Sequence, residues 1–189
     1  MYRYKKYSEE QMFLKIAILV MGGIAFLLGF ARALKLGIEY MIQEGQNPLF
    51  VPITDYFTGF NLAFNVPTGK VGYQHYVPMA TVSYLTPLVF SVLPMIKIKK
   101  VPRYIPYFIA AVVLIIIPIF YVIKLQEAIG DLERIIEIDS LLIGKKYRNL
   151  QIEVQTEAIM HAALTVITGF LSIAAGVLAL LTRERRVRK

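Results

Sequence analysis

Two histidines and a short acidic stripe are the residues of this chain whose types and spacing best suit chemistry. His75 and His161 are its only imidazoles, so a haem held between two histidines would need both. Glu153, Glu157 and His161 follow one another at intervals of four, which puts all three on one face of a helix. Two carboxylates and an imidazole so placed can ligate a divalent metal or relay a proton. No second histidine completes a ligand set, however, and Lys145, Lys146 and Arg148 stand close in sequence to neutralise the acids. The expectation is a solvated helix end, with no metal and no cofactor. The 189 residues include no cysteine, which removes thiol nucleophiles, disulfides and thiolate-held iron–sulfur clusters. A Ser/His/Asp arrangement, a Walker loop and a GxGxxG turn are also lacking. The expectation is a protein without catalytic activity.

The elements that must position these residues are apolar. The chain is 57% hydrophobic, above the roughly 45–50% of soluble domains. Most of its 21 lysines and arginines fall in three clusters: Arg3, Lys5, Lys6 and Lys15; Lys97, Lys99, Lys100 and Arg103; and Arg183, Arg185, Arg186, Arg188 and Lys189. The rest of the chain is slightly acidic. Charge gathered at the ends of apolar runs marks cytoplasmic flanks of membrane helices rather than a nucleic-acid surface. Spans are expected at about 12–33, 79–96, 105–123 and 158–182, each near the ~20 residues a bilayer requires. Ala31-Arg32-Ala33 has the look of a signal cleavage site, but the run before it is long, and the expectation is a retained first span. Pro87, Pro94 and Pro118 are expected to interrupt or kink their helices. The fold class expected is an all-α integral membrane protein of four antiparallel helices at the plasma membrane, with cytoplasmic termini and a small external domain.

That domain comprises 34–78 and 124–157. The first segment is rich in proline and glycine, including Gly45 and Pro48, and carries Phe50, Tyr56, Phe57, Phe60, Phe64, Tyr73 and Tyr76. These aromatics form a candidate interaction surface. Pro67-Thr68-Gly69-Lys70 reads as a turn, around which 57–66 and 70–77 can pair as a hairpin. Leu125, Ile129, Leu132 and Ile136 repeat at helical spacing, so span 3 should continue outward. The chain should then reverse around 144–149, and a return helix should start near Leu150. Arg32 and Lys35 would anchor the outer end of span 1. Gly22 and Gly29, seven apart on one helix face, and Gly169, Ser172 and Gly176 are candidate helix-packing positions.

This topology is similar to that of tetraspan proteins such as claudins and tetraspanins, with one longer and one shorter external loop and a third helix that projects outward. The resemblance is one of topology and carries no residue across. The loop signatures of those proteins need Trp and Cys, and this chain has neither. The lack of catalytic groups and the size of the external segments lead to the expectation of a non-enzymatic membrane subunit or scaffold, assembling with copies of itself or with other membrane proteins through its external segments and small-residue faces. Two alternatives follow from other residues. One is an oligomeric channel or transporter lined by Ser83, Thr86, Ser91, Thr165, Thr168 and Ser172. The other is a subunit of a redox complex, with Arg32 and His161 near a quinone or metal.

Overall fold

The computed structural model describes residues 2–43, 49–96, 98, 101–143 and 147–187. Lys97, Lys99, Lys100, Arg188 and Lys189 of the basic clusters lie outside them, as do Gly45, Pro48 and residues 144–146 of the expected reversal. The side chains of Arg3, Lys5, Lys6, Arg183, Arg185 and Arg186 are likewise outside the description. The chain is mostly helical, with a small three-stranded sheet. In order, the elements are α1 (Tyr2–Leu28), β1 (Arg32–Gln43), β2 (Leu49–Thr58), α2 (Gly59–Phe64), α3 (Pro78–Val92), α4 (Ile105–Ile143), β3 (Tyr147–Val154) and α5 (Thr156–Val187), with a 3-10 turn at Leu93–Met95. Among the described residues, four stretches are long and apolar enough to cross a membrane: Glu9–Leu28, Pro78–Met95, Ile105–Leu142 and Thr156–Thr182.

The elements group into two compact units. The helical unit takes Met1–Leu28, Val82–Phe120 and Met160–Lys189. Its core gathers Ile18, Tyr107, Ala175 and Ala179 from α1, α4 and α5, with Leu14, Met95, Tyr104 and Leu171 packed around them. Pro87 and Pro118 are carried inside α3 and α4 without ending them. Large apolar side chains such as Phe13, Leu27, Val112 and Phe170 point outward and are more than half exposed. In water such a surface would be unfavourable; against lipid tails it is the expected one.

The sheet unit takes Gly29–Thr81 and Tyr121–Ile159. β1 is the centre of an antiparallel sheet in the order β2-β1-β3. Alternation decides its faces: Leu34, Leu36 and Ile38 are buried, while Lys35, Gly37 and Glu39 between them are only half-buried. Register places Phe57 opposite Leu34 and Ile53 opposite Ile38, and Phe57 joins the same buried face. Asn149 adopts a left-handed conformation (φ 52) where the β1–β3 register shifts between Gly37 and Glu39, a bulge of the kind Asn tolerates. The C-terminal part of α4 buries Leu125, Ala128, Leu132 and Ile136 along one stripe.

Several expectations are corrected here. The protein is not all-α. The first apolar helix ends at Leu28 rather than 33, because the chain turns at Gly29–Phe30 and enters β1. The hairpin joins β1 to β2, not 57–66 to 70–77; residues 59–64 are helical and 66–77 carry no strand. The segment from Leu150 is not a return helix but part of β3, since Leu150, Ile152 and Val154 alternate with Gln151 and Glu153 and so suit a sheet with one wet face.

Candidate functional site

The acidic stripe does not form. Glu153 lies in β3, where it pairs with Lys35 across the sheet at 3.4 Å, and only Glu157 and His161 remain on α5. A strand projects alternate side chains to opposite faces, so spacing by four no longer aligns Glu153 with the other two. Among the described residues no group of three His, Asp or Glu side chains is placed to hold a metal ion.

His161 is instead engaged within the helical unit. It is 2% exposed, with Nδ1 2.7 Å from the Ala25 carbonyl oxygen of α1 and Nε2 3.1 Å from the Ser83 hydroxyl of α3. A carbonyl only accepts, so Nδ1 carries the proton and Nε2 of the neutral ring accepts from Ser83. One side chain thereby ties three helices, and both ring nitrogens are occupied. Nothing in the spacing of residues 25, 83 and 161 announces this tie. The one signal was a histidine inside an apolar run, where ionisable groups are rare and partnered.

The six hydroxyls expected to line a pore are all buried: Ser83, Thr165, Thr168 and Ser172 at 0%, Ser91 at 2% and Thr86 at 3% exposed. Thr86, Thr165, Thr168 and Ser172 donate to carbonyls four residues back on their own helices, those of Val82, His161, Leu164 and Thr168. This is how a lone hydroxyl is satisfied in an apolar helix. The packing glycines also work inside the unit. A Cβ on Gly22 would stand 2.5 Å from the Ser91 Cβ; one on Gly169, 2.7 Å from Ile115 Cγ1; one on Gly176, 3.1 Å from the Tyr107 Cβ. Gly29 lies beyond the end of α1, and no helix face contains both it and Gly22.

In the sheet unit the expected aromatic surface is divided. Phe57 is fully buried, whereas Phe60, Phe64 and Tyr76 are 40%, 48% and 49% exposed. Phe60 meets both Phe30 and Phe64. Phe50 and Tyr56 are half-buried beneath cations: Arg148 lies 3.7 Å above the Phe50 ring and Arg32 4.2 Å above Tyr56. Arg32 and Lys35 are thus strand residues with partners, not the end of a helix. Arg148 also bonds Glu39 at 2.5 Å, and that bond, followed by one from Asn149, holds the Glu39 carboxyl below its usual range. Tyr73 is half-buried beside Tyr147 and Asp139; burial first, then those neighbours, raises its phenol above the usual range.

A feature without a sequence signal is Asp55. It is 6% exposed on the buried side of β2, and its carboxylate accepts from the backbone N–H groups of Tyr56, Lys70 and Val71 at 2.8, 2.9 and 2.9 Å. Burial alone would raise its pKa; the N–H groups, Val71 foremost, outweigh it and the net shift is downward. Asn61 holds the same loop from the other side. It closes a capping box with Thr58 and donates to the carbonyls of Val66 and Pro67. Residues 65–77 are therefore fastened, though they form neither helix nor strand. Compared with protein-family models and with curated proteins, the chain matches none.

Proposed function

We propose that this chain is a four-span subunit of the plasma membrane, with cytoplasmic termini and an external sheet unit, that acts as an assembly scaffold rather than as an enzyme. The observation that carries this reading is where the polar groups are used. Inside the helical unit four hydroxyls bond their own helices and His161 bonds Ser83 and Ala25, so these polar groups are used within one copy. The exposed chemistry lies on the sheet unit, as stacked arginines, paired charges and half-exposed aromatics, a composition typical of protein interfaces.

The small residues named for assembly are already in contact within one copy, which moves the expected contacts between copies to the sheet unit and the outer length of α4. A pore between copies would need the six hydroxyls at the protomer surface, and burial argues for the scaffold instead. A redox role for His161 would need one of its ring nitrogens freed. The test is a native mass spectrum of protein extracted gently from its own membrane. A homo-oligomer or a stoichiometric complex is expected; a lone monomer without co-purifying protein would overturn the reading.

A further inference from the structure

The outer end of α4 carries a second apolar stripe, on a different face from the buried one. Ile135, Ile138, Leu141 and Leu142 are 38%, 54%, 79% and 79% exposed, while Leu132 and Ile136 on the neighbouring face are buried. Ile135, Ile138 and Leu142 are spaced three and four, as the a, d and a positions of a heptad, with Leu141 at g. We infer that this stripe is the contact between two copies of the chain in one bilayer, through a short parallel α4–α4 seam. The inference rests on the four-span reading above, under which two copies in one membrane hold their α4 helices parallel.

Two observations favour a second copy as the occupant. The first is charge. In a parallel pair a g residue meets the e residue five positions on in its partner, which here joins Arg134 to Asp139. Arg134 is exposed and makes no ion pair among the described residues. Asp139 is half-buried beside Tyr73, and a carboxylate has a second oxygen for an arginine. The second is area. Four such side chains at about 100 Å² each offer roughly 400 Å² per copy, about half of the ~800 Å² per partner of a stable interface. A patch this size is too small to hold two soluble proteins together. It suffices when both copies are already confined to one plane and one orientation, because most of the association entropy is then lost beforehand.

The absence of cysteine makes the test direct. Single-cysteine variants Ile135→Cys, Ile138→Cys, Glu133→Cys and Glu137→Cys are oxidised in native membranes, and disulfide-linked dimer is read on a non-reducing gel. A seam brings a and d positions within the ~4 Å that a disulfide spans and keeps c and f positions apart. At least about tenfold more dimer is expected at 135 and 138 than at 133 and 137, and Ile138→Glu added to Ile135→Cys should abolish it. Equal cross-linking at all four positions, or none at 135 and 138, overturns the seam. If the native mass spectrum still shows an oligomer or complex, the scaffold reading stands without it; a lone monomer would remove both.

Discussion

At the scale of single residues, the buried polar groups among the described residues have defined partners, apart from the Thr68 hydroxyl. The Ser83–His161 bond should therefore be measurable but modest. Hydrogen bonds between helices in lipid average about 0.6 kcal/mol and reach about 1.7 kcal/mol, because alternative partners exist when the helices separate. Ser83→Ala is expected to cost an amount in that range, whereas His161→Leu should cost more, since it also strands the Ala25 carbonyl. Unfolding in mixed detergent micelles measures both. Asp55 is the sharper case. Its carboxylate accepts three N–H bonds, and Asp55→Asn should cost about 2–3 kcal/mol through the loss of charge-assisted bonds. Its folded pKa lies below the unfolded value of about 3.9. The stability it supplies is thus fully present above pH ~4 and is lost as pH falls through the lower, folded value. Acid should therefore release the Lys70 and Val71 amides to hydrogen exchange. In Asp55→Asn those amides should exchange readily at neutral pH as well, and the dependence on acid should disappear.

At the scale of elements, what could be read in advance depended on how many repeats of a pattern each element offers. The long apolar stretches declare themselves over 18 residues or more, and the stripe on the C-terminal part of α4 over three turns. β3 offers only Leu150, Ile152 and Val154, and three alternations are easily taken for the first turn of the helix that follows. β1 carried a clearer signal in Leu34, Leu36, Ile38 and Tyr40. The proline and glycine content of 34–78 masks it, as does Pro52 within β2, an edge strand that tolerates it. The contacts of Asp55 and His161 join residues 15 and 136 positions apart, and no local pattern encodes such pairings. The junction of β2 and α2 gives this scale its own prediction. Gly59 donates its N–H to the Ala31 carbonyl at 3.1 Å, and a Cβ there would overlap the backbone carbonyl of Gly29. Backbone yields less readily than a side-chain tip, so Gly59→Ala should destabilise the sheet unit by about 2–3 kcal/mol. Gly69→Ala, which meets nothing within 4 Å, should cost far less. Comparative thermal unfolding of the two variants checks the contrast.

At the scale of the whole molecule, the reading turns on which ends of the helices face the cytoplasm. The three basic clusters fall near the chain's start, in the short connection between α3 and α4, and near its end. Lys and Arg close to membrane helices set orientation, and they do so most strongly in short loops. The connection from the 3-10 turn at Leu93–Met95 to α4 is too short to hold a folded domain, and α4 is far longer than a crossing demands: 39 residues at 1.5 Å each make about 58 Å, against a hydrocarbon layer of about 30 Å. Under the proposed topology, the surplus of α4 would lie beyond the hydrocarbon layer, away from the basic clusters. Cysteine-free background again permits a clean measurement. Glu133→Cys on exposed outer α4 and Arg103→Cys in the short connection are treated in intact cells with a membrane-impermeant maleimide. Glu133→Cys should label before lysis and Arg103→Cys only after it. The reverse pattern would turn the molecule over and place the sheet unit in the cytoplasm. Labelling of both before lysis would mean that α4 does not cross the membrane at all, and the apolar surface of the helical unit would then require another cover.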